Sequence, residues 1–202
     1  RAWEPAVKSL REALNKRAST DIAIRLHVLY AMADRSSEGD RFAEGWLRAH
    51  PSDAGFHSHL GWMAVNRKDF NAAESAYRKV LQLRPDDPAS LNNLASVMVA
   101  KKAPGALALA EKANKLAPDV PAFLDTWASA LAFEGQMDKA VEQQRKAADL
   151  AGSEPAFRLT LAKLLLQQGD KVKAKAELER LKALGAKFPG HAEVAELLKS
   201  VS

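Results

Sequence analysis

The sequence predicts an all-α chain, an α-solenoid of stacked antiparallel helix hairpins closed by a C-terminal capping helix. Three observations carry that prediction. First, one turn is written several times, as "LRPDDPASLNN" from Leu83, "LAPDVPAFLDT" from Leu116 and, more weakly, "LAGSEPAFRLT" from Leu150. Second, Pro51, Pro85, Pro118 and then Gly152 in the equivalent place are spaced 34, 33 and 34 residues apart, a period that belongs to helical repeat arrays. Third, small residues recur in register at Gly61, Ala73, Ala95, Ala106, Ala128, Ala140, Ala162 and Ala174, where they let two helix axes approach. The apolar faces of a single hairpin, spaced at three and four residues, find no cover within that hairpin, so the units must stack.

The elements follow in order. Residues 1–18 contain a helix over about 2–16, with Trp3, Ala6, Leu10 and Ala13, read as the second helix of a truncated repeat. Residues 19–53 form a degenerate repeat marked by Leu26, Tyr30, Trp46 or Leu47, and Pro51. A regular unit spans 54–87, with Leu60-Gly61, Ala64, Ala73, Tyr77, Val80 and Pro85. The unit 88–120 is one residue short, and the deletion is assigned to a shortened turn in "AKKAPGA", Ala100 to Ala106. Units 121–154 and 155–188 follow, and 189–202 forms the cap. In that cap Phe188-Pro189-Gly190 starts a helix with Val194, Leu197, Leu198 and Val201 on one side, as the open end of a stack requires. Pro88, Pro121 and Pro155 sit in the first turn of a helix, where the missing N–H has no partner to lose. Pro85 and Pro118 stop the helices before them. Phe56, Phe123 and Phe157 recur at the third position of their units and are expected to pack on the preceding repeat. Trp127 and Leu131 are expected inside their own hairpin, with Trp127→Ala costing about 3–5 kcal/mol.

Composition narrows the function. The 202 residues are 47% hydrophobic and 27% charged, enough to bury a core, and contain no cysteine, which excludes a disulfide framework and cysteine-ligated zinc. No uncharged apolar run reaches the roughly 18 residues of a membrane span. The chain opens at Arg1 inside a helical pattern, without Met, and is read as a fragment. No P-loop, dinucleotide fingerprint, nucleophile elbow or HExxH occurs, so no catalytic residue and no cofactor is assigned. His57 and His59 are two apart on one helix and point about 200° apart, so they do not share a metal; His57 is placed inside the hairpin and His59 toward the groove. His27, His50 and His191 are scattered without a partner at i+4, and no metal is assigned. The net charge of +5 includes a run of Lys171, Lys173, Lys175, Arg180, Lys182 and Lys187. Glu177 and Glu179 interrupt it, so a solvated outer face is favoured over a nucleic-acid interface, with anionic lipid or acidic polysaccharide as an intermediate reading.

These repeats resemble the tetratricopeptide repeat family over nearly the whole chain. A closer resemblance covers about residues 80–201. "SLNNLASVMVAKKAPGALALAEKANKLAPDVPAFLDTWASAL", "GQMDKAVEQQRKAADLA" and "GDKVKAKAELERLKALGAKFPGHAEVAELLKS" look like the end of bacterial repeat lipoproteins of PEP-CTERM and exosortase systems. That resemblance implies a periplasmic location, a lipid anchor borne by a preceding segment, and a role in exopolysaccharide or surface-protein export. The tetratricopeptide resemblance implies a concave groove lined by the first helix of each hairpin. Its positions map to Arg25, Ser58, His59, Trp62, Asn92, Asn93, Ser96, Asp125, Thr126, Ser129 and Lys163. The Asn, Asp and Thr side chains there suit the backbone of an extended peptide, and Trp62 suits an aromatic anchor. The expected function is a non-catalytic scaffold that holds a peptide segment or partner subunit. The alternative is a spacer or self-association module that makes its contacts through its ends or its basic outer face.

Overall fold

The computed structural model describes residues 3–152 and 154–201. Arg1, Ala2 and Ser202, at the outer ends of the first and last expected segments, and Ser153, near the end of the segment 121–154, lie outside the described residues. Among the described residues the regular structure is helical: α1 (Trp3–Lys16), α2 (Thr20–Met32), α3 (Ser36–Ala49), α4 (Ala54–Asn66), α5 (Phe70–Leu83), α6 (Pro88–Ala100), α7 (Ala106–Leu116), α8 (Pro121–Phe133), α9 (Met137–Leu150), α10 (Pro155–Gln168), α11 (Lys171–Lys182) and α12 (His191–Ser200), with a short 3-10 turn at Gly185–Lys187 before α12. They form two compact units, one ending at Pro85 and one beginning at Asp86.

In the first unit α1 packs on α2, α2 pairs with α3 and lies beside α4, and α4 pairs with α5. Phe56 of α4 is fully buried against Ala23 and Ala43 of the hairpin before it, with Phe42 and Trp46 around them, as its place in the repeat anticipates. In the second unit α6 pairs with α7 and lies beside α8, α8 pairs with α9, α10 packs on both and pairs with α11, and α12 closes the end. Phe157 of α10 packs on the apolar residues of α8 and α9 in the same way. The cap helix buries Val194 and Leu198 against Leu159, Ala162, Leu178 and Leu181, with Phe188 sealing the turn.

Local chemistry sets the boundaries. Pro88, Pro121 and Pro155 each occupy the first helical position. Asp53, Asp69, Asp87 and Asp170 cap their helices by accepting from the N–H three residues on, at 3.0, 3.0, 2.8 and 3.0 Å. Between the two helices of each hairpin the chain turns left-handed, at Asp34, Lys68, Lys102 together with Gly105, Gly135 and Gly169. The small residues are fully buried where helices cross. At Gly61 a Cβ would stand 2.8 Å from the Tyr77 ring, so only hydrogen fits.

Three local expectations are corrected. The turn between α6 and α7 is not shortened: it spans 101–105, against 67–69 between α4 and α5, and α7 loses length instead, with 11 residues against 14 in α5. Pro104 and the left-handed Gly105, at φ 91°, delay the start of α7. Trp127 packs on the apolar residues of its own hairpin, with its Nε1 buried, but the side chain is only half-buried and also lines a cleft with Glu111, Asn114 and Lys115 of α7. Glu177, expected on the outer face, is buried, because Arg158 of α10 reaches it at 2.8 Å while Arg180 holds its other oxygen at 3.1 Å.

Candidate functional site

In the first unit the residues expected to meet a partner lie on α2 and α4. Arg25 is exposed, Ser58 half-buried and Trp62 54% exposed. His59 is buried, and its Nε2 lies 2.8 Å from Nδ1 of His27 on the neighbouring first helix. One ring donates and the other accepts, so the accepting ring is neutral and the two imidazoles cannot both be charged while the bond stands. Burial, more than any neighbouring charge, pushes both down: His59 to about 4, with His27 and Arg67 adding to the effect, and His27 in the same direction with Arg67 adding and Asp40 opposing. Phe56 meets His27 edge-on at 5.9 Å, and Trp62 stacks over His59 at 6.4 Å. His27 is therefore not scattered. Its partner is 32 residues away on the adjacent hairpin, a spacing that only the repeat register relates. His57, expected inside the hairpin, instead turns outward and bonds the Pro51 carbonyl at 3.1 Å.

In the second unit the expected residues lie on α6, α8 and α10. Ser96 is exposed, and Asn93 and Ser129 are half-buried. Asn92 is buried; its amide donates to Asn93 Oδ1 at 3.5 Å, and its own Oδ1 accepts from no protein group. Asp125 is held from below: Gln144 of α9 donates to its Oδ1 at 2.8 Å and to the Phe157 carbonyl at 2.9 Å. Burial pushes the Asp125 carboxyl up, against the hydrogen bonds from Gln144 and Thr160. Thr126 is buried, and its hydroxyl donates to Ala122 O of its own helix at 3.1 Å. Lys163 is ion-paired with Glu193 of the cap helix at 2.7 Å. Gln144 and Glu193 carry no signal in the sequence, because each acts from an element other than the helix whose face it shapes.

Comparison with known proteins identifies the repeat. The tetratricopeptide repeat family model matches residues 54–87. That segment is a tetratricopeptide repeat, and the other hairpins of the chain repeat its register. Cellulose synthase operon protein C of Pseudomonas fluorescens (strain SBW25) is 30% identical over 158 residues; the match takes in 74% of this chain and 12% of that protein. Two solved structures share the fold. PilF of Pseudomonas aeruginosa superposes with a TM-score of 0.74 at 22% identity, over 96% of this chain and 90% of its own. YrrB, described as a tetratricopeptide protein with an unusual peptide-binding site, gives a TM-score of 0.70 at 17% identity, over 96% of this chain and 99% of its own. Tetratricopeptide proteins are interaction scaffolds, and the first-helix faces of this one present hydrogen-bonding and aromatic side chains.

Proposed function

We propose that the chain is a non-catalytic scaffold that holds an extended segment of a protein partner on its first-helix faces, within a bacterial envelope assembly for exopolysaccharide or surface-protein export. The observation that carries this reading is the state of Asp125. A carboxyl group anchored by Gln144 from behind, at 2.8 Å, is preorganised toward a backbone N–H in front of it, so less side-chain freedom is lost on binding. In the same unit Asn93 and Ser96 add further donors and acceptors, and in the first unit the exposed Trp62 offers an aromatic contact of its own. The peptide-binding site described for YrrB supports the mode of binding, and the operon protein of Pseudomonas fluorescens supports the polysaccharide setting. Under this reading the periplasm is the site of action, with membrane attachment supplied by another segment of the protein.

The test compares partner capture by the wild-type protein with capture by a Trp62→Ala, Ser96→Arg variant of unchanged helicity, from an envelope extract. Both changed side chains are exposed, so folding is spared. Loss of one specific protein from the variant supports the reading. Equal capture by both sinks it.

A further inference from the structure

The repeat register exposes a second surface, on the second helices of the first unit. Position 45 is Gly where the equivalent places hold Lys79, Lys112, Lys146 and Arg180, and position 49 is Ala where they hold Leu83, Leu116, Leu150 and Leu184. In the second unit those cations do structural work: Lys112 reaches Asp86 at 2.7 Å and Lys146 reaches Asp119 at 2.6 Å. On α3 both long side chains are missing, and a cleft of about 750 Å³ opens between α1 and α3. An added Cβ at Gly45 would meet nothing within 4 Å.

The floor of that cleft is aromatic. Phe42 and Trp46 are each half-buried, with Leu14 of α1 beside them. The Trp46 ring is fixed by its Nε1 donating to Asp53 Oδ2 at 2.8 Å. The rim is cationic. Arg11 is held by two hydrogen bonds to the Tyr30 hydroxyl, at 3.0 and 2.7 Å, and Arg41 by one to the Ser37 carbonyl at 3.2 Å. Among the described residues neither guanidinium has a carboxylate bonded to it. Glu38 also lines the cleft, but its two oxygens accept from Nε and Nη2 of Arg35, and it bonds neither Arg11 nor Arg41.

We propose that this cleft docks an acidic, apolar peptide segment of a protein partner, separately from the first-helix faces. An aromatic or aliphatic anchor would sit on Phe42 and Trp46, in the half-buried pocket that interface hot spots favour. A flanking carboxylate would be met by Arg11 and Arg41, whose planar forks match it and are already oriented. Glu38 at the rim argues against a polyanion such as nucleic acid, which would bring phosphates to both sides.

The experiment pans a phage-displayed random 12-mer peptide library on the full chain. The competitor in solution is a Gly45→Lys, Ala49→Leu variant, which restores the residues of the other repeats at two exposed sites. The expected result is enrichment of sequences that pair an aromatic or aliphatic residue with nearby Asp or Glu. These should bind the wild type at least tenfold more tightly than the filled variant or Arg41→Glu, and should bind Trp62→Ala, Ser96→Arg as well as wild type. No enrichment, enrichment of basic sequences, or equal affinity for the filled variant overturns the proposal. So does a wild-type dimer in sedimentation that the filled variant dissolves, which would make a second copy the occupant. Retained binding by the Trp62→Ala, Ser96→Arg variant separates this surface from the first-helix faces, so either can fail alone.

Discussion

An imidazole pair joined by one hydrogen bond has room for one proton between its facing nitrogens, and His27 and His59 keep theirs out of water. Both are pushed down by burial, so the unfolded chain takes up protons at about 6.5 while the folded pair resists until lower pH, about 4 for His59. Stability from this pair is therefore present above about pH 6.5 and lost as pH falls toward 4, on the order of 3 kcal/mol from His59, with His27 contributing in the same direction. Thermal midpoints between pH 7.5 and 4.5 should show this slope, and the double change His27→Leu, His59→Leu should flatten it; a slope unchanged in the double variant would refute the assignment. Asp125 has the opposite sign, because a raised carboxyl favours the folded state as pH falls. A second residue-scale prediction concerns Lys68, held at φ 60°, where an L side chain is strained. Lys68→Gly should raise the urea-derived stability by about 1 kcal/mol. By contrast Gly61→Ala should lower it by about 1–3 kcal/mol, since the added Cβ would stand 2.8 Å from the buried Tyr77 ring.

At the scale of elements, amide side chains stitch one hairpin to the next. Asn114 donates to the Phe123 carbonyl at 3.0 Å and Gln144 to the Phe157 carbonyl at 2.9 Å, so the same repeat position is held from two different places on the second helix. Trp127 joins this seam only partly, and Trp127→Ala is expected to cost about 2–3 kcal/mol, below the figure for an enclosed aromatic. Chemical denaturation checks that value. The cap is a more sensitive element. Val194→Asp would place an unpaired charge among Leu159, Leu178 and Leu181 and should destabilise by about 2–4 kcal/mol, with loss of helical signal at lower temperature. Unchanged melting would mean that α12 does not close the stack.

At the scale of the whole molecule, much was legible from one chain because a repeat states each rule several times. The period, the proline positions and the small crossing residues appear in register, and the helices begin at Pro88, Pro121 and Pro155 as that register requires. Phe56 and Phe157 pack backward onto the preceding hairpin, again as their recurrence implies. What the register hid is what breaks it. The missing residue before Pro118 shortens α7 rather than its turn, because Pro104 and Gly105 decide locally where a helix can start. The candidate faces were legible as helices but not as chemistry: Asn92, Thr126 and His59 are buried, and Lys163 is committed to Glu193.

By itself the amino-acid sequence determined the all-α class, the 34-residue period and the helix ends, because these depend on neighbours a few residues apart: spacing, caps and prolines. Only the tertiary structure decided which polar side chains meet. The His27–His59 pair, the Gln144 support beneath Asp125, the inward Glu177 and the cleft over Phe42 and Trp46 each join residues from different helices. Hydrogen bonds and ion pairs act over about 3 Å, and only the packing of one helix on another fixes such distances across different elements.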